Sequence, residues 1–145
     1  MRRKSRVGHA FEGHLNHLFQ LHGLKFEQGR GKGKVTENNA KPDFLFPDFA
    51  SYHNPLFPDK QLAMLGAKTS CKDRWRQVLS EANRIGRKHL ITLEAAISEA
   101  QTLEMAAHGL QLVIPEAIQT TYKPAQREQL QNLSEWLTER KSLQI

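Results

Sequence analysis

The chain has 145 residues, which suits one domain, 1–145, with a real core. Apolar residues make up 39%, so composition excludes disorder, and no apolar run reaches the ~18 residues of a membrane span. The formal charge of +6 favours an acidic partner, most simply nucleic acid; the plain reading is a soluble protein that happens to be basic.

From the N-terminus, "MRRKSR" is basic but lacks the apolar run of a signal peptide. Val7, Phe11, Leu15, Leu18, Phe19 and His22 fall at helical spacing, and Gly23 is a natural stop, so 7–22 is predicted helical. Glu12 lies beside that stripe. "LKFE", 24–27, reads as a short strand. The Gly- and Lys-rich "QGRGKGKVTENNAK" after it reads as a mobile loop. It matches neither GxxxxGK[ST] nor a GxGxxG after a strand, so it is not a nucleotide cradle.

"PDFLFP", 42–47, is an apolar strand with proline at both ends, followed by a loop through Tyr52 to Asp59. "QLAMLGAKT", 61–69, is a second apolar run and a candidate central strand. A helix is predicted over 70–85, opened by a Ser70–Asp73 capping box and presenting Trp75, Val78, Leu79 and Ala82 inward. Then come a strand at 88–93, a helix at 96–108 stopped by Gly109, a strand at 110–115 and a last amphipathic helix at 125–141. Strands alternating with helices predict an α/β fold with a mixed sheet flanked by helices around an αβββαβ core.

Cys71 is the only cysteine, so an intrachain disulfide and a CxxC metal site are excluded, which fits a reducing cytosol and a cytoplasmic location. The His residues show no metal-ligand spacing. In open sheets, sites form at strand ends and helix N-termini. Asp43 opens one strand, Lys68 closes the next, and Glu81 follows thirteen residues later. Two carboxylates and a lysine converging there can hold Mg²⁺ and offset charge on a scissile phosphate. Each residue also has a plain reading. Asp43 can be a turn residue, Lys68 an edge guard, Glu81 a surface acid paired with Arg84, and Glu12 a polar helix position.

Pro42-Asp43, "GAK" at 66–68 and Glu81 resemble the PD-(D/E)XK nuclease motif in a variant form. Gly66 stands where the usual second acid would be, and Glu81 matches its replacement from the next helix. The strings "MLGAKTSCKDRWRQVLSEANRI", "KPDFLFP" and the N-terminal "RRKSR.G..FE.HL..LF..HG..F" resemble the catalytic domain of EcoRII-like type II restriction endonucleases over roughly residues 2–123. The resemblance implies a restriction-endonuclease-like fold and double-stranded DNA as substrate. Asp43 and Glu81 match the metal-binding acids, Lys68 the catalytic lysine, Glu12 an acid that helps order the site, and Tyr52 a tyrosine near it. Lys72, Asp73 and Arg74 match a recognition element for C·G pairs. Lysine and arginine donate to guanine, and aspartate accepts from cytosine. A short CC/GG-flanked site (CCWGG-like), a homodimer and a cognate DNA methyltransferase are further implications. The family's extra N-terminal sequence is absent before the matched helix, so a non-cleaving DNA-binding remnant is the rival expectation. A repair nuclease of the same superfamily is another, but it leaves Lys72-Asp73-Arg74 unexplained.

Overall fold

In the computed structural model, residues 2–144 are described, with side-chain surroundings for 8–37 and 39–144; Val7 falls outside the latter. The first helix, α1 (Arg2–Leu21), buries Leu15 and Phe19 with Phe11 and Leu18 beside them, as the helical spacing requires. It stops where Gly23 takes φ +70°, and Leu24 N–H returns to Phe19 O (3.0 Å). His22 lies past the helix and is exposed.

Five strands follow: β1 (Glu27–Gln28), β2 (Phe44–Phe46), β3 (Ala63–Lys68), β4 (Lys88–Thr92) and β5 (Leu110–Val113). They lie in sequence order, β1-β2-β3 antiparallel and β3-β4-β5 parallel. The mixed sheet is the predicted one. β1 sits at the end of the expected 24–27 run, because it is Glu27 and Gln28 that pair with Leu45 and Phe44.

Period-two alternation splits the strands between two cores. Phe44, Phe46, Ala63, Leu65 and Ala67 face α1 and the C-terminal helix. There Phe19 meets Phe44 edge-on at 5.1 Å and Trp136 at 5.2 Å, and such pairs add about 0.5–1.5 kcal/mol each beyond burial. Leu45, Met64 and Leu90 face the other way, toward Tyr52, Trp75, Val78 and Met105.

The helices depart from expectation in three places. The stretch through Tyr52 is not all loop: α2 (Phe49–His53) forms there, capped by Asp48 Oδ1, which accepts Ser51 N–H (2.7 Å). The predicted helix 70–85 shrinks to one turn, α3 (Trp75–Val78), with no Ser70–Asp73 box; Arg74 is its N-cap residue and makes no side-chain cap bond. The segment α4 (Glu99–Ala107) is as expected, started by Ser98. Short α5 (Glu116–Gln119) and α6 (Pro124–Arg127) precede α7 (Leu133–Leu143). The expected helix 125–141 is broken because Gln131 joins the sheet edge, bonding Ile114 N–H (2.8 Å) and Leu112 O (3.1 Å) through its backbone. Asn132 and Glu135 then restart it with a reciprocal capping box. Among the described residues no helix is long and apolar enough to cross a membrane.

Candidate active site

The site lies at the carboxyl ends of the parallel strands. Asp43 immediately precedes β2. Continuing the β2–β3 register from Phe44↔Leu65 sets it across from Gly66, on the face shared with Met64 and Lys68. Asp43 Oδ2 accepts Ala67 N–H (2.8 Å) and lies 3.3 Å from Lys68 Nζ. Both side chains keep a small opening to solvent, 16% and 17% exposed. Gly66 is tightly packed: a Cβ there would meet Leu90 Cδ1 at 3.1 Å and Val78 Cγ2 at 3.2 Å, so these side chains would have to give by a few tenths of an ångström.

Glu81 reaches the pair from a turn after α3, not from a helix. Its carboxyl is pushed up to about 7, first by burial and then by the Asp43 charge, with Lys68 opposing. Glu81 Oε1 is buried without a hydrogen-bond partner among the described residues. It does not pair with Arg84, whose guanidinium goes to Asp59 (2.6 and 2.8 Å) and to the carbonyls of Asn54 and Phe57. A buried acid beside a second carboxylate either keeps its proton or takes a positive partner for its charge. The oxygen donors fit a hard divalent cation.

The turn itself is clamped from far along the chain. Thr36 Oγ1 donates to Glu81 O. Glu37 Oε1 accepts Asn83 N–H (3.3 Å), and Tyr52 OH accepts Arg84 N–H (3.2 Å) while donating to Glu37 (2.6 Å). Burial opposes the Glu37 charge, but the Tyr52 hydroxyl and backbone N–H groups outweigh it and hold the carboxyl below its usual range. Burial above all pushes the Tyr52 phenol up to about 12, so it stays protonated and donates. Tyr52 is thus placed in the clamp behind Glu81. The partners of Glu81 O and Asn83 N–H lie 45 and 46 residues away in sequence, and no local pattern marks Thr36 or Glu37.

Glu12 is brought less close. Its carboxylate accepts from Arg30 (2.9 Å) and Gln28 (3.4 Å), and among the described residues none of its hydrogen bonds or ion pairs reaches Asp43, Lys68 or Glu81. Arg30 belongs to the Gly-rich loop, whose base touches Asp43: Gly29 N–H donates to Asp43 O (3.4 Å). The lone Cys71 is buried in the core, and burial pushes its thiol up to about 12, so it is no nucleophile.

Lys72, Asp73 and Arg74 stand together and exposed on the turn between β3 and α3. In place of the expected box, Glu94 supplies the acceptor for this turn. It is the first acid after the apolar run 88–93, which was the available signal for a strand-end residue beside Ser70. Trp75 is core, as its apolar spacing suggests, with Arg76 stacked on it at 4.4 Å.

The family described as EcoRII C terminal matches residues 1–137. The chain is 46% identical over 138 residues to the type II restriction enzyme EcoRII of Escherichia coli, covering 95% of this chain and 33% of that enzyme. It therefore spans about a third of that curated relative's length. Metal-depleted Ecl18kI in complex with uncleaved DNA superposes with a TM-score of 0.80 at 22% identity, covering 98% of this chain and 47% of that one. Restriction endonuclease PspGI with substrate DNA gives 0.74 at 18%, covering 98% and 63%. The superpositions give the restriction-endonuclease-like, PD-(D/E)XK architecture, and by its sequence the chain belongs to the EcoRII C-terminal family.

Proposed function

We propose that this chain is the catalytic part of a Mg²⁺-dependent type II restriction endonuclease, hydrolysing phosphodiester bonds of double-stranded DNA at a short CC/GG-flanked site (CCWGG-like). The observation that carries this reading is the convergence of Asp43, Lys68 and Glu81 at one strand end, with Glu81 Oε1 left unpaired. Two solved relatives in fold are DNA complexes by name, which supports duplex DNA as the partner.

Asp43 and Glu81 would hold the metal ion through their carboxylate oxygens. When bound, Mg²⁺ supplies Lewis acidity at the scissile phosphate. Lys68 presents its ammonium to that phosphate and offsets the charge that builds in the transition state. Water adds to phosphorus and one ester P–O bond breaks, leaving a phosphate on one end and a hydroxyl on the other. Ala67 N–H keeps Asp43 aimed throughout. Glu12 orders the Gly-rich loop through Arg30, and Tyr52 holds the Glu81 turn. Lys72, Asp73 and Arg74 read C·G pairs in the major groove. A two-fold homodimer would match a pseudo-palindromic site, and a cognate methyltransferase would protect the host's own copies.

The test is cleavage of unmethylated plasmid in Mg²⁺ and in Ca²⁺, with the ends sequenced. Discrete ends at a CC/GG-flanked site, only in Mg²⁺, are expected. Asp43→Ala is expected to lower the rate by on the order of a thousandfold or more, the scale on which groups at a reacting centre act. An active Asp43→Ala protein would remove the mechanism. Binding in Ca²⁺ without cutting in Mg²⁺ would leave a DNA-binding segment only.

A further inference from the structure

Lys72, Asp73 and Arg74 carry long or charged side chains on an exposed turn of three residues. Base edges tolerate little displacement of the groups that read them, whereas phosphates are contacted more loosely. Something must therefore fix the turn before DNA arrives.

We propose that Glu94 is a positioning residue that presets this reading turn and so sets sequence discrimination. The inference rests on the assignment of Lys72, Asp73 and Arg74 as base contacts. A single carboxylate oxygen, Glu94 Oε1, accepts the N–H groups of both Cys71 (2.7 Å) and Lys72 (3.1 Å). Bonds to a charged acceptor are stronger than neutral ones. Glu94 is itself held at both backbone ends. Its N–H donates to Thr92 Oγ1 (3.2 Å), and its carbonyl accepts the Tyr122 hydroxyl (2.5 Å). Thr92 in turn donates to Thr69 O (3.3 Å), so the end of β4 is laced to the residue after β3. Cys71 and Trp75 are buried on either side of the turn, and Arg74 N–H closes it on Cys71 O (2.9 Å). The three reading residues project between two buried anchors, with Glu94 setting the direction in which they leave. Ordering paid in advance is not subtracted from binding later.

The experiment uses the whole chain in Ca²⁺ with two duplexes, one carrying a CC/GG-flanked site and one scrambled, over a range of salt. Glu94→Ala is expected to lose on the order of tenfold in the ratio of the two affinities, within what one good base contact discriminates. Its affinity for the scrambled duplex and its salt slope stay unchanged, because no phosphate contact is lost. Glu94→Gln is expected to stay near wild type, since the amide oxygen still accepts both N–H groups. Amide exchange adds a second readout: the Lys72 N–H is protected in wild type and Glu94→Gln, and fast in Glu94→Ala. Should Glu94→Ala fail to fold, Glu94→Asp, one methylene too short to reach both groups, takes its place. A Glu94→Ala protein with wild-type discrimination overturns the proposal, as does Glu94→Gln behaving like Glu94→Ala. Wild-type protein that does not distinguish the duplexes overturns the base-reading assignment beneath it.

Discussion

The two sides of β4 bury ionisable groups in opposite ways. Within the strand, His89 is 4% exposed and pushed down to about 4, first by burial and then by Arg140. Glu139, 3.7 Å away, does not restore its charge, and the ring is neutral at ordinary pH. Past the strand's carboxyl end, Glu81 is driven the other way, up to about 7. It shares its space with a second acid and leaves one oxygen without a donor. His89 has settled into the neutral form its surroundings prefer, although its Nδ1 is likewise buried without a partner among the described residues. Glu81 is held near the edge of ionisation, and in the proposed mechanism a cation from outside would complete its charged form. Burial alone therefore does not mark a site; burial with an unmet demand for charge does.

Three substitutions separate the two cases. The largest effect belongs to Glu81→Gln, expected to lower Mg²⁺-dependent cleavage by on the order of a thousandfold. Without divalent metal the same change stabilises the fold. A carboxyl raised from 4.5 to about 7 gives stability that is present below pH 4.5 and lost as pH rises through 7. Urea unfolding at pH 8 should show Glu81→Gln ahead by at most about 3 kcal/mol, and at pH 4 the lead should vanish. A constant difference at both pH values would sink this account.

His89 runs in the opposite direction. Its depressed value lets the unfolded chain bind the proton first, so stability falls as pH drops from 6.5 through about 4. The gap is worth at most about 3 kcal/mol, and His89→Leu should flatten that window relative to wild type while plasmid cleavage persists. An unchanged slope would mean that the ring is charged in the fold. The smallest change is Thr36→Val, which deletes the donor to Glu81 O. A loss of about 1 kcal/mol in urea unfolding is expected, with cleavage down roughly tenfold from a misplaced acid. Equal loss of stability with full activity would reduce Thr36 to a structural role.

Much of the sheet was legible because β3 and β4 are short apolar runs bounded by turn residues, and buried strands look like that. Asp43 and Lys68 were legible as strand-end residues, and the string around Lys68 located Glu81. The length of α3 was not. Ser70 and Asp73 carry a capping pattern and Trp75, Val78, Leu79 and Ala82 a helical one, yet the segment uncoils after Val78. Its backbone groups find partners on Thr36, Glu37, Tyr52 and Glu94 instead, each more than twenty residues away. Local periodicity carries no trace of such bonds. The break before α7 has the same origin, since Gln131 exchanges helix for a place beside Val113.

Gly66 leaves little slack for a side chain on its strand. Val78 and Leu90 already occupy the space in which a side chain at 66 would begin. Placing a carboxylate at 66 would press on both apolar neighbours by a few tenths of an ångström, and trimming either one to make room would leave a hole in a dense core. A Gly66→Glu, Glu81→Gln double exchange therefore restores the count of acids but not their placement.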